Sequence, residues 1–139
     1  HDEVRALPSW EKVTEYGFVG REKRNELLAR SKIGLSTLMP IPNYKLAYSV
    51  KMFEYMAAGI PSIISDFPMW REIIEETNCG ICVNPEDPKA ISKAINYLLE
   101  NDDIAKQMGE NGRRAVEEKY NWATQEKKLI HLYQQILSK

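Results

Sequence analysis

Short apolar runs alternate with amphipathic segments along the first part of the chain, and this pattern predicts alternating strands and helices. Four apolar runs are predicted to be strands, at residues 13–16, 33–38, 61–65 and 80–83. The segments between them are rich in helix formers and are predicted to be helices, at residues 21–31, 50–58 and 69–77. Gly59 and Pro61 are suitable stop signals for the helix at 50–58. The sequence therefore predicts an α/β fold, with a parallel sheet covered by helices on both faces.

After residue 86 the pattern becomes helical throughout. It predicts one helix around Ile91–Leu99, a second from Asp102 to about Tyr120, and a third that begins after Asn121 as its N-cap. We interpret the chain as a single domain over residues 1–139, in which residues 1–86 are mainly β/α and residues 87–139 mainly helical. Open parallel sheets bind ligands at the carboxyl ends of their strands, so the candidate ligand loops follow Tyr16, Leu38, Ser65 and Val83.

Composition and charge narrow the range of functions. The chain has 139 residues, 43% hydrophobic and 28% charged, which is typical of a folded domain and not of a disordered segment. A formal net charge of -1 argues against nucleic acid as a partner. No apolar run approaches the roughly 18 residues of a membrane span, and no secretory signal opens the chain, so we expect a cytoplasmic protein. The charged start without Met indicates a piece of a longer polypeptide.

The predicted loop from Met39 to about Ser49 is the first candidate ligand site. It is longer than the roughly 2–6 residues usual between a strand and a helix, and such extra length is often functional. The loop leads to Ser49, a predicted N-cap, and to a first helical turn whose free N–H groups and dipole favour a phosphate. Lys45 and Lys51 lie beside this turn in the sequence. The alternative is an ordinary capped helix with two solvated lysines.

Glu54 is the second candidate, on the same predicted helix. We expect Val50, Phe53 and Ala57 to form the buried face of that helix, with Glu54 at its margin. A carboxylate there is costly unless it is paired or faces a polar cleft, and in a cleft beside an anion site it suits the two hydroxyls of a ribose. The alternative is an ion pair with Lys51, three residues earlier.

Two further patterns carry weaker signals. Cys79 and Cys82 spell C-x-x-C, but on a strand this spacing directs the two thiols to opposite faces. We therefore expect them to pack in the core, without a redox or zinc function. Gly17 follows a predicted strand and is a turn glycine compatible with a nucleobase lying against the backbone.

A more specific signal is the block at residues 51–61, KMFEYMAAGIP. It resembles the donor-binding, C-terminal domain of the retaining GT-B glycosyltransferases of family 4, the glycosyl transferases group 1. The resemblance extends over nearly the whole chain, because residues 13–19, 27–38, 72–74, 80–88 and 108–122 resemble other segments of the family in the same order. It implies a Rossmann-like sheet that forms the C-terminal half of a GT-B fold, incomplete at its N-terminus and followed by C-terminal helices.

The resemblance also implies roles for individual residues. The backbone amides of Tyr48, Ser49 and Val50 match the stretch that binds the donor diphosphate, and Gly17 and Val19 match the turn next to the nucleobase. Glu54 matches the second glutamate of the family's E-x7-E motif, which holds the ribose. The residues assigned to nucleotide-sugar binding are Glu54, Lys51, Val50, Ser49, Tyr48, Gly17 and Val19.

The chain departs from the family pattern at one position. Leu46 stands where the first glutamate of the motif usually contacts the donor sugar. Some bacterial members of the family are similar in lacking that glutamate. The sequence therefore does not determine which side chain contacts the donor sugar, and the candidates are Asn43, Tyr44 and Tyr48.

The resemblance implies an enzyme of the hexosyltransferase type, which moves a sugar from a nucleotide diphosphate-sugar to a glycan or glycolipid acceptor. It implies an N-terminal acceptor domain on the same polypeptide, an acceptor at the inner face of a membrane, no metal or other cofactor, and no activity of this chain alone. In the resembled fold the last helix crosses back to the acceptor domain. Its apolar stripe should therefore be partly uncovered, at Trp122, Leu129, Leu132, Tyr133 and Ile136.

Two alternatives stay open at this point. One is a non-catalytic α/β signalling or nucleotide-sensing module, such as a receiver, which would need an acidic cluster where only Asp66 stands out. The other is a sugar-nucleotide epimerase of the GT-B fold, whose acid/base carboxylates this sequence does not single out. The sequence does not decide the nucleobase (UDP, GDP or ADP), the sugar or the acceptor.

Overall fold

The computed structural model describes residues 2–138 and is built around a three-stranded parallel sheet, in which the strands neighbour one another in chain order. β1 is Gly34–Ser36, β2 is Ser62–Ser65 and β3 is Gly80–Val83. The register pairs Gly34 with Ser62 and Ser62 with Gly80, so the carboxyl ends of the strands lie at one edge. Three of the four predicted strands are therefore confirmed.

Helices fill the segments between and after the strands, as the sequence pattern predicted. Proline stands near the start of the helices at Pro42–Lys45, Pro68–Thr77 and Pro88–Glu100, where its missing N–H costs no helical hydrogen bond. The helical elements are α1 (Asp2–Arg5), a 3-10 helix (Pro8–Lys12), α2 (Arg21–Arg30), α3 (Pro42–Lys45), α4 (Val50–Ala58), α5 (Pro68–Thr77), α6 (Pro88–Glu100), α7 (Asp102–Glu118) and α8 (Trp122–Leu137).

Two predictions of secondary structure were wrong. The apolar run at residues 13–16 is not a strand, because such a run becomes one only where a neighbouring strand pairs with it, and no strand within residues 2–138 does so. The segment from Met39 to Ser49 is not entirely loop, because Pro42 supplies the fixed φ angle that begins the single turn of α3.

The hydrophobic core lies on both faces of the sheet. Ile64 of β2 packs on one face with buried residues of α4 and α5, whereas Ile63 packs on the other face with Ala94 and Leu98 of α6. Adjacent strand residues point to opposite faces, which explains why one short strand supplies both clusters. The α/β fold with helices on both faces is therefore confirmed.

Glycines allow α4 and α7 to approach each other closely. Gly59 ends α4 with a φ of 70°, and a Cβ at Gly109 of α7 would overlap the carbonyl oxygen of Gly59. A Cβ at Gly112 would lie 3.2 Å from the Cα of Met56. The two backbones therefore approach closely, and this contact holds α4, the helix that carries the candidate site.

α8 lies outside the core. Asn121 is its N-cap, as predicted, and its side chain accepts a hydrogen bond from the N–H of Thr124. The predicted apolar stripe is uncovered, with Trp122 69% and Tyr133 60% exposed. Within residues 2–138, no helix combines the length and the apolar character needed to cross a membrane.

Candidate functional site

The start of α4 is anchored to the sheet by serine side chains. Ser49 is buried, and its Oγ accepts a hydrogen bond from the N–H of Met52 at 3.3 Å. The same Oγ lies 3.2 Å from the Oγ of Ser36 at the end of β1. The predicted N-cap is therefore confirmed, and the cap is tied to the strand before it. This anchoring directs the free N–H groups of the first turn toward the carboxyl edge of the sheet.

A pocket of about 330 Å³ lies between this helix start and the preceding loop, and Tyr44, Tyr48, Val50 and Lys51 are among the residues that line it. Val50 is 71% exposed, so the first turn of α4 is accessible from solvent. Lys51 is exposed and forms no ion pair with any residue in 2–138. An open helix start beside a free lysine can accept an anion such as a diphosphate.

The buried face of α4 differs from the prediction. Met52 and Met56 form it, because the core cluster contacts the methionine side of the helix. Of the three predicted residues, Phe53 is partly buried against this cluster, whereas Val50 and Ala57 are exposed. Glu54 follows Met52 by two residues and so lies on roughly the opposite side of the helix. It is half-buried there because α2 packs beside it.

Glu54 is paired with an arginine that the sequence analysis did not identify. Nη1 of Arg24, on α2, donates to Oε1 of Glu54 at 2.7 Å. The predicted alternative partner, Lys51, forms no such bond. Oε2 of Glu54 accepts no hydrogen bond from any residue in 2–138, so one carboxylate oxygen is available to a ligand hydroxyl. The charge of Arg24 keeps the carboxylate in one orientation.

A second pocket, of about 410 Å³, lies beside this pair, between α2, α4 and α7. Leu28 and Ala58 contribute apolar surface to it, and Arg24, Glu54 and Arg113 contribute the charges. Nη1 of Arg113 donates to the carbonyl oxygen of Ala57 at 2.6 Å, which places a positive charge at the C-terminus of α4. Arg24 and Arg113 give no sequence signal, because each meets its partner only through packing between helices.

The other candidate residues lie before α2 and in the segment before α4. Gly17 has a φ of 62° and forms a turn shortly before α2, the helix whose Arg24 holds Glu54. Val19 is half-buried in the same turn. Leu46 is 78% exposed and, like Asn43, is not among the residues that line the 330 Å³ pocket, whereas Tyr44 and Tyr48 line it. The roles assigned to these residues stay predictions.

Both cysteines pack against the core, and Asp66 is paired with an arginine. Cys79 and Cys82 are free thiols, and both contact the same core cluster, because Cys79 precedes β3 and does not belong to it. The prediction of opposite faces was therefore wrong. Burial raises the pKa of both thiols, that of Cys82 to about 12. Asp66, at the end of β2, accepts a hydrogen bond from Nε of Arg71 at 2.5 Å.

The sequence of this chain is similar to those of known glycosyltransferases. The sequence profile of the family "Glycosyl transferases group 1" matches residues 1–115. The chain belongs to this family. Its sequence is 27% identical over 122 residues to an uncharacterised glycosyltransferase of Methanocaldococcus jannaschii, covering 88% of the chain and 30% of that protein. It is 27% identical over 90 residues to a phosphatidyl-myo-inositol mannosyltransferase of Mycobacterium leprae, covering 65% of the chain and 24% of that protein.

The fold agrees with this family. Sucrose-phosphate synthase from Thermosynechococcus elongatus superposes with a TM-score of 0.81 at 24% identity, over 92% of this chain and 31% of that one. The sheet and its helices therefore have the Rossmann-like GT-B architecture. The chain spans less than a third of the length of these relatives, at 30% and 24% of the two glycosyltransferases.

Proposed function

We propose that this group 1 glycosyltransferase chain is the donor-binding domain of a retaining enzyme that uses a nucleotide diphosphate-sugar. The observation that carries the proposal is the arrangement on α4. An accessible N-terminus stands at one end of the helix, and the Arg24-held carboxylate of Glu54 lies one turn further on. A diphosphate at the α4 N-terminus and a ribose at Glu54 would belong to a single nucleoside diphosphate that lies along the helix.

The proposed reaction exchanges one bond to the anomeric carbon of the donor sugar for another. The bond from that carbon to the diphosphate oxygen breaks, a bond to the acceptor hydroxyl oxygen forms on the same face, and the departing diphosphate takes the hydroxyl proton. The α4 N-terminus and Lys51 would stabilise the negative charge that develops on the diphosphate. The family resemblance is the basis for expecting this reaction to need no metal ion.

The acceptor would be held by a second domain of the same polypeptide. The uncovered stripe of α8 supports this, since Leu132 is 51% and Ile136 60% exposed, and large apolar surfaces of this kind are usually covered by a partner. A glycan or glycolipid acceptor at the inner face of a membrane, with the enzyme in the cytoplasm, completes the proposal. Because both substrates must be aligned for transfer, the 139-residue chain alone should transfer no sugar.

The proposal is tested on the full polypeptide that contains this chain. Isothermal calorimetry with UDP, GDP and ADP should show that one of them binds, and the hexose derivative of that nucleotide should act as donor in a transfer assay. Transfer should continue in EDTA. The absence of binding tighter than about 1 mM for all three nucleotides would contradict the proposed function. Transfer by the isolated chain would contradict the two-domain arrangement.

A further inference from the structure

The indole of Trp70 reaches from the core to the loop that precedes α4. Trp70 is 1% exposed and packs against Phe67, with the two ring centroids 4.9 Å apart. Its only polar side-chain atom, Nε1, donates a hydrogen bond to the carbonyl oxygen of Ala47 at 2.7 Å. Ala47 itself is exposed, so a buried side chain on α5 holds an otherwise accessible segment of the loop.

This bond determines the orientation of the next peptide group. No peptide bond within residues 2–138 is cis, and in a trans peptide the C=O and N–H point in nearly opposite directions. With the carbonyl of Ala47 turned toward the indole, the N–H of Tyr48 points away from it. That N–H makes no hydrogen bond within residues 2–138. It is one of the amides assigned to the donor diphosphate.

The loop has few other attachments to the rest of the fold. At its start, Oγ of Ser65 donates to the carbonyl of Leu38 at 2.7 Å, and at its end Ser49 contacts Ser36. Between these ends, the bond from Trp70 is the one side-chain hydrogen bond, among residues 2–138, that joins the loop to another element. The remaining bonds of the segment lie within α3 and its flanks.

We propose that Trp70 is a positioning residue of the donor site: its bond to Ala47 orients the Tyr48 amide so that it can bind the donor diphosphate. This inference rests on the proposed function and adds to it a residue that lines the 330 Å³ pocket but is not among the residues assigned to nucleotide-sugar binding. Without the indole N–H, the Ala47 carbonyl is free to turn toward water. The Tyr48 amide is then correctly oriented for only a fraction of the time, and the affinity for the donor diphosphate is reduced by that fraction.

The test replaces Trp70 in the full polypeptide and measures affinity for whichever of UDP, GDP and ADP binds best. Trp70→Phe removes the donor and keeps an aromatic ring against Phe67. Dissociation constants should rise roughly 3- to 10-fold, the range of one net hydrogen bond. Inorganic pyrophosphate should lose affinity by a similar factor, since the effect acts on the diphosphate. Glu54→Gln, in contrast, should leave pyrophosphate affinity unchanged.

The matched control is Ile73→Val, on the same helix and in the same core cluster, without a hydrogen bond to the loop. It should lower the melting temperature while leaving nucleotide affinity within about twofold. Replacing Trp70 with benzothienylalanine, which keeps the bicyclic shape and lacks the N–H, tests the same bond if Trp70→Phe does not fold. Equal affinity of parent and Trp70 variants, or an equal loss in Ile73→Val, would overturn the positioning role and leave the proposed function intact. A parent protein that binds none of the nucleotides would overturn both.

Discussion

Replacing Glu54 with Gln should separate a ligand-binding role from a structural one. The substitution keeps the size and the hydrogen-bonding oxygen of the side chain and removes its charge. The structure shows Oε1 bound to Nη1 of Arg24 at 2.7 Å, and leaves Oε2 for a ligand. If the two ribose hydroxyls donate to this carboxylate, their bonds are charge-assisted and worth about 1.5–3 kcal/mol. Loss of that amount weakens nucleotide binding roughly 10- to 150-fold.

Fold stability should change much less. The side chains of Arg24 and Glu54 are 44% and 31% exposed, so solvent screens their attraction, and such pairs contribute about 0–1 kcal/mol. The introduced glutamine would still accept a hydrogen bond from Arg24, which reduces the loss further. The melting temperature of Glu54→Gln should therefore lie within a few degrees of the parent value, since about 1 kcal/mol corresponds to a few degrees in a domain of this size.

The assay is calorimetric titration of the full polypeptide with its preferred nucleoside diphosphate, together with thermal unfolding. The matched control is Glu110→Gln, because Glu110 is an exposed glutamate on α7 without a side-chain hydrogen bond or ion pair within residues 2–138. Its affinity and melting temperature should equal those of the parent. Unchanged nucleotide affinity in Glu54→Gln, with a melting temperature several degrees lower, would refute the reasoning and make Glu54 a structural residue.

Three further predictions concern the fold. Gly109→Ala should lower the melting temperature, because an added Cβ meets the backbone carbonyl of Gly59. The overpacking costs about 1–3 kcal/mol of stability, which outweighs a helix-propensity gain of up to about 1 kcal/mol. An unchanged melting temperature would contradict the close contact of α4 and α7. The hydrogen bond from Lys119 holds the pKa of Glu76 below its usual value, so its stabilising contribution is present above a pH of about 4.3 and is lost as the pH falls through the lower folded-state pKa. Glu76→Gln should therefore destabilise the protein in urea unfolding at neutral pH and hardly at all in strong acid, and an equal difference at both would oppose this account. Since burial raises the pKa of Cys82 to about 12, iodoacetamide at about pH 8 should alkylate it far more slowly in the native protein than in urea; equal rates would show an accessible thiolate.

The sequence alone was sufficient for much of the fold, because the signals involved act over a few residues. The Ser49 cap and the Gly59 stop bracket α4 at the predicted ends, and Asn121 caps α8 as expected. The prediction of a strand at residues 13–16 was wrong for the opposite reason, because a strand depends on a partner strand elsewhere in the chain. The buried face of α4 was also misjudged, since apolar residues lie on several sides of the helix and only packing chooses among them.

The sequence by itself determined the alternation of β1, β2 and β3 with helices, the family, and Glu54 as the principal candidate on α4. Only the tertiary structure decided what surrounds that residue. Arg24 meets Glu54 from 30 residues away, and Trp70 meets Ala47 from 23 residues away. Arg113 reaches the end of α4 across 56 residues. Such contacts arise when helices dock on a common sheet, and no local periodicity, cap or turn signal records which side chains then become neighbours.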